Sequence, residues 1–175
     1  MIPNLITIMR LLLVPVTIAM IGRENWPAAF AAFVVAGVSD AVDGFIARRF
    51  DMRTALGAYL DPLADKALLV SIYVSLAMIG MVPGWLAILV VFRDVMIVSA
   101  VVLSWVMDKP VAIRPLFLSK ANTAAQIIFA AFVLGGSAFG LGIMPFIDEA
   151  VLAVAALTLA SAAAYLARWL RHMTT

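Results

Sequence analysis

Four aspartates, Asp40, Asp43, Asp61 and Asp65, crowd into one stretch of a 175-residue chain that is 66% hydrophobic and only 13% charged. At membrane depth a carboxylate costs about 2.5–3.5 kcal/mol even on the lenient insertion scale. Four such groups call for compensation, and a divalent cation is the simplest partner. On a helix, Asp40 and Asp43 stand three positions apart and Asp61 and Asp65 four, so each pair projects from one face. Two antiparallel helices joined by a short turn would then gather four carboxylates, an all-oxygen donor set suited to Mg2+, Mn2+ or Ca2+. Between the pairs, Gly44, Ala47, Gly57 and Ala58 withhold side-chain bulk and admit a close backbone or ligand. Arg48 presents a planar fork matched to phosphate oxygens. Carboxylate-held metal beside arginine is a recurring apparatus for phosphoryl transfer, where charge on the transferring group must be neutralised. The competing reading of the same acids is the proton or ion pathway of a transporter.

The elements that must position these residues follow from composition. A soluble domain carries about a quarter charged residues; this chain has half that share and is expected to be an all-α integral membrane protein. Apolar segments run over 5–21, 27–48, 56–79, 83–106, 118–134 and 145–170, which predicts six transmembrane helices. The breaks are read at Arg23-Glu24-Asn25, at 48–54, at Gly80 with Pro83-Gly84, at Asp108-Lys109-Pro110, and at Gly135-Gly136 with Gly140 and Gly142. With a cytoplasmic N-terminus, the inner loops and tail carry Arg48, Arg49, Arg53, Lys109, Arg114, Lys120, Arg168 and Arg171, whereas the outer loops carry only Arg23. That bias places both termini in the cytoplasm and opens the aspartate cluster to that side. The expectation is one multi-pass domain over 1–175 in the inner (plasma) membrane. Arg10 interrupts the first segment and no small-x-small cleavage site follows, so a retained helix is expected rather than a signal peptide. Without cysteine, thiol catalysis and disulfides are excluded. The lipid bilayer is the expected partner, and nucleic acid is not.

From Asp40 to Asp65 the ordered pattern D-x2-D-G-x2-A-R-x8-G-x3-D-x3-D resembles, at every defining position, the signature of the CDP-alcohol phosphatidyltransferase family. Transport would not require the arginine and glycines at fixed spacing. The resemblance implies a helical bundle that transfers a phosphatidyl group from a CDP-linked lipid to a hydroxyl and releases CMP. It further implies a two-metal site of Mg2+ or Mn2+ with Asp40, Asp43, Asp61 and Asp65 as metal ligands. Asp65 becomes the candidate general base for the acceptor hydroxyl. Gly44, Ala47, Arg48 and Gly57 would lie against the nucleotide and pyrophosphate, and a homodimer is expected. Direct attack is preferred to a covalent enzyme intermediate.

Other stretches bear on the acceptor. Ile2-Pro3-Asn4-Leu5-Ile6-Thr7 with Arg10, and Leu60 to Lys66, are common to two branches, the cardiolipin synthases and the phosphatidylglycerophosphate synthases. Arg93-Asp94-Val95 and Ser119 to Gln126 look like the cardiolipin branch; the other more often shows Arg-Glu and Gly-Lys-x-Lys-Thr at these places. Here a neutral Asn122 replaces the second lysine, which suits a phosphodiester acceptor. CDP-diacylglycerol is therefore the expected donor and phosphatidylglycerol the expected acceptor, with glycerol 3-phosphate as the alternative. Arg10, Arg93, Arg114, Ser119 and Lys120 are the candidate acceptor-phosphate residues. Arg93 and Asp94 are readable as a mutually neutralising structural pair, but adjacent residues point about 100° apart on a helix and do not pair face to face; the preferred reading has Arg93 facing the cavity and Asp94 a neighbouring helix. Arg10 is equally readable as an anchor at the membrane surface. Asn4 and Thr7 are candidate nucleotide contacts, with an N-cap role as the alternative for Asn4. Lys66 balances the acidic cluster and His172 is solvated. Trp26, Trp85, Trp105 and Trp169 read as interfacial belt residues.

Overall fold

The computed structural model describes the backbone of residues 2–49, 55–107 and 117–174. Within these it describes all side chains except those of 2–8, 10, 40, 41, 43–49, 55–65, 101, 102, 105 and 174. The described residues form six α-helices and no strand: α1 (Ile2–Gly22), α2 (Trp26–Arg49), α3 (Ala55–Met78), α4 (Gly84–Val106), α5 (Phe117–Ala138) and α6 (Met144–Thr174). Each apolar segment of the sequence corresponds to one helix, a structure that pairs the backbone groups of a segment within itself.

Two compact units are distinguished, residues 1–81 with 130–143, and 82–129 with 144–175. In the first, α1 packs against both α2 and α3, the two helices that carry the aspartates. Ala29, Ala32 and Ala36 form a buried stripe on α2, small enough to let a neighbouring helix approach closely. Leu68, Leu69, Ile72, Tyr73 and Leu76 supply the buried face of α3. In the second unit α4 packs on α6, and Leu86, Val90, Val151, Val154 and Ala155 are buried.

Three turns end the odd-numbered helices in one way. The amide of Asn25 donates to Met20 O and that of Glu24 to Ile21 O; Met81 and Gly80 do the same to Leu76 O and Ala77 O, and Leu141 and Gly140 to Gly136 O and Ser137 O. These are Schellman closures, which require a left-handed residue just past the helix. Gly80 (φ 77°) and Gly140 (φ 63°) meet that need without strain, but Glu24 holds it as a non-glycine at φ 55°. Asn25 then caps α2, its Oδ1 accepting from the Ala28 amide at 3.3 Å.

Gly135-Gly136 departs from the sequence expectation. The pair lies inside α5, and the break comes only at Gly140. Its purpose is space: a Cβ on Gly135 would sit 3.1 Å from the Phe30 ring, and one on Gly136 would sit 2.3 Å from Ile143 Cγ2. Phe30 also meets Phe139 edge-on, with ring centroids 5.7 Å apart.

Among the described residues, α5 and α6 contain spans long and apolar enough to cross a membrane. On α4 the polarity is inverted relative to a soluble helix. Ile88, Phe92, Val95 and Val98 are exposed, while Arg93 and Asp94 are buried. An apolar stripe of that kind is stable in a hydrocarbon solvent, not in water.

Candidate active site

The backbone places Asp40 and Asp43 in the second half of α2, and Asp61 and Asp65 in the first half of α3. Both pairs sit on uninterrupted helix, so the spacings of three and four do put each pair on one face. The helices that carry them flank α1, which also holds Asn4, Thr7 and Arg10. Because α1 begins at Ile2, Asn4 lies within the helix, and the N-cap alternative does not apply. Gly44, Ala47 and Arg48 follow on α2, and Gly57 precedes Asp61 on α3. The side chains of all these residues lie outside the described ones, as does the whole of Arg114. Among the described side chains no group of three or more His, Asp or Glu is assembled. By residue type, four carboxylates are a donor set suited to hard divalent cations.

A second polar cluster is fully described, within the unit that contains α4 and α6. Arg93 is 1% exposed and Asp94 7%. Contrary to the sequence argument, the two pair directly, Nη1 donating to Asp94 Oδ1 at 2.7 Å. The angle between adjacent Cβ directions does not forbid this, because the long arginine stem can fold its head back to its neighbour. Nε and Nη2 of Arg93 both donate to Ser161 Oγ on α6, at 3.3 and 2.9 Å. Nη2 also donates to Ser119 Oγ in the first turn of α5. The guanidinium carbon lies 6.0 Å from the centroid of the Tyr165 ring, one helical turn beyond Ser161. Lys120, next to Ser119, is exposed. Of the candidate phosphate residues, the structure thus brings Arg93 to Ser119 and presents Lys120 at the surface beside them.

Deeper along α5, Asn122 (0% exposed) and Gln126 (1%) meet Thr158 of α6. Thr158 Oγ1 is 2.9 Å from Asn122 Oδ1 and accepts from Gln126 Nε2 at 3.3 Å. In this amide orientation the buried Asn122 Nδ2 has no hydrogen-bond partner. A hydroxyl has one proton. If Thr158 donates it to Val154 O at 2.8 Å, the opposite orientation of Asn122 lets Nδ2 donate to Thr158. Either way Asn122 is an interhelical contact. A lysine there would bury its ammonium, so packing alone accounts for the neutral residue, and the argument from acceptor charge loses its support.

Trp169, read from the sequence as a belt residue, also donates from Nε1 to Ala100 O at 3.1 Å and Ser104 Oγ at 2.9 Å, tying α6 to α4. Ser161, Thr158 and Tyr165 were not singled out in the sequence. Their signal was a hydroxyl pair three positions apart in an alanine-rich helix, with an aromatic one turn on.

A sequence model described as CDP-alcohol phosphatidyltransferase matches residues 1–162. The chain belongs to the CDP-alcohol phosphatidyltransferase family. Among relatives, human "cardiolipin synthase (CMP-forming)" is 37% identical over 154 residues, covering 79% of this chain and 51% of that protein. The Bacillus subtilis (strain 168) "CDP-diacylglycerol--glycerol-3-phosphate 3-phosphatidyltransferase" is 32% identical over 165 residues, covering 85% of this chain and 84% of that one. A rice chloroplastic relative of the latter name is 34% identical over 155 residues, covering 79% of this chain and 47% of that protein. The chain spans about half the length of the cardiolipin synthases of human and rat that it matches.

Proposed function

We propose that this chain is a membrane enzyme that transfers the phosphatidyl group of CDP-diacylglycerol to phosphatidylglycerol, forming cardiolipin and CMP. The observation that carries the reaction class is the complete signature from Asp40 to Asp65, seated on two successive helices that both pack against α1. The acceptor choice leans on the likeness to cardiolipin synthases. In the reaction, the acceptor hydroxyl oxygen attacks the lipid-side phosphorus, the bond from that phosphorus to the pyrophosphate bridge breaks, and CMP leaves. The hydroxyl proton passes to Asp65. Asp40, Asp43, Asp61 and Asp65 would hold two Mg2+ or Mn2+ ions, which neutralise charge on the transferring phosphoryl group. Asn4, Thr7, Gly44, Ala47, Arg48 and Gly57 hold the CDP moiety. Ser119 and Lys120, with Arg10 and Arg114, receive the acceptor phosphate, and Arg93 supplies its charge from behind Ser119.

We read all six helices as spanning the inner membrane, within one domain, with both termini and the site on the cytoplasmic side and a homodimer as the working assembly. At 31 residues α6 is about 46 Å long, more than the roughly 30 Å hydrocarbon core. Its last turns, with Arg168 and Arg171, would therefore stand in the cytoplasmic headgroup region.

A second reading, glycerol 3-phosphate as acceptor, is favoured by the near end-to-end match to the Bacillus subtilis protein. The deciding measurement gives purified protein, Mg2+ or Mn2+ and radiolabelled CDP-diacylglycerol a panel of acceptors. Labelled cardiolipin from phosphatidylglycerol is expected. Product from glycerol 3-phosphate and none from phosphatidylglycerol would transfer the assignment to the second reading.

A further inference from the structure

The geometry points to Ser161 of α6, helped by Tyr165 and Asp94, as a positioning residue that holds Arg93 so that Ser119 becomes a charge-assisted donor to the acceptor phosphate. This rests on the proposed placement of the acceptor phosphate at the first turn of α5.

Arg93 itself is 1% exposed and its nitrogens are largely taken. Nε and Nη2 grip one oxygen, Ser161 Oγ, while Nη1 holds Asp94 Oδ1. These three bonds fix the guanidinium plane on two sides, and the Tyr165 ring lies across from it at 6.0 Å. What remains directed at α5 is Nη2, which donates to Ser119 Oγ. A serine hydroxyl both accepts and donates. With its acceptor role filled by a cation, the hydroxyl is polarised, and its own hydrogen has no acceptor among the described residues. Ser119 is half-buried and Lys120, the next residue, is exposed. The pair therefore offers an arriving phosphate one ammonium and one polarised hydroxyl at the start of a helix. Arg93 contributes its charge from behind, through Ser119. The ion pair with Asp94 keeps that charge tolerable in an apolar interior. Ser161 sets where the charge points. Without it the guanidinium would lose the two bonds that anchor it to α6, and Nη2 would no longer be fixed on Ser119.

The test compares Ser161→Ala, Ser161→Thr, Tyr165→Leu, Ser119→Ala and Lys120→Ala in full-length protein in mixed micelles. KM for phosphatidylglycerol (and for glycerol 3-phosphate), KM for CDP-diacylglycerol, kcat and the unfolding temperature are measured. The expected result is a rise of about tenfold in acceptor KM for Ser161→Ala, with kcat and donor KM near wild type, and recovery in Ser161→Thr. Tyr165→Leu leaves the Ser161 bonds in place and is expected to raise acceptor KM about threefold. If Ser119→Ala and Lys120→Ala raise acceptor KM but Ser161→Ala and Tyr165→Leu do not, the positioning role is overturned while the phosphate site stands. If Ser161→Ala lowers the unfolding temperature and kcat with no selective change in acceptor KM, Ser161 is a packing residue and the inference fails. If none of the five alters acceptor KM, the site itself is wrong.

Discussion

Asp61 and Arg93 show two ways of keeping a charge in an apolar helix. Asp61 belongs to the four carboxylates proposed to hold metal, whose charge bound cations would compensate, whereas Arg93 carries its compensation beside it in Asp94, at 2.7 Å. Removing one carboxylate from a metal set takes away a ligand and a charge at once. We expect Asp61→Asn to lower CMP release about a thousandfold while the protein still inserts and unfolds normally, as followed by CMP assay and thermal melting. Wild-type turnover would remove Asp61 from the metal set. The signature was legible because chemistry fixed both residue type and spacing. The Arg93–Asp94 pair was misread because backbone direction was taken for side-chain reach, and a long flexible side chain breaks that equivalence. Ser161 stayed hidden for the opposite reason: a lone serine in a run of alanines has no meaning until a partner 68 positions away is seen to meet it.

Helices were easier to foresee than their ends. Apolar runs near 20 residues gave all six, to within a few positions at most ends. The error at Gly135-Gly136 is instructive, since glycine serves both to turn a chain and to let surfaces touch, and sequence does not separate the two uses. We expect Gly136→Ala to cost about 1–3 kcal/mol, from the clash of the new Cβ with Ile143 at 2.3 Å. Ile143→Ala in the same chain should recover part of the loss in a thermal melt. At the end of α1 the reverse holds: Glu24 occupies the left-handed region at φ 55°, where glycine would be unstrained. Glu24→Gly is expected to stabilise by about 1 kcal/mol, read as a higher melting temperature with unchanged activity.

For the whole molecule, the telling feature is α4, whose exposed face is apolar while Arg93, Asp94 and Ser104 are buried beside Leu86 and Val90, as suits a chain dissolved in lipid. Composition made that solvent legible; it did not reveal which polar residues would meet inside. Catalysis is expected to depend on an added ion. Chelation with EDTA should abolish product formation, and Mg2+ or Mn2+ should restore it without refolding, so that the melting profile changes less than the activity. Activity that survives exhaustive chelation would refute the proposed role of the carboxylates.

The Schellman closures also bear on how the chain is made. On the proposed topology, each tip that ends an odd-numbered helix must be carried across the hydrocarbon during synthesis. Bare carbonyls are the chief obstacle to such a passage. At the ends of α3 and α5 the last carbonyls are already bonded within the turn, and residues 79–83 and 139–143 contain no charged side chain. Those two turns would bring few bare carbonyls and no charge into the hydrocarbon, while the first, with Arg23 and Glu24 at its tip, has the harder crossing.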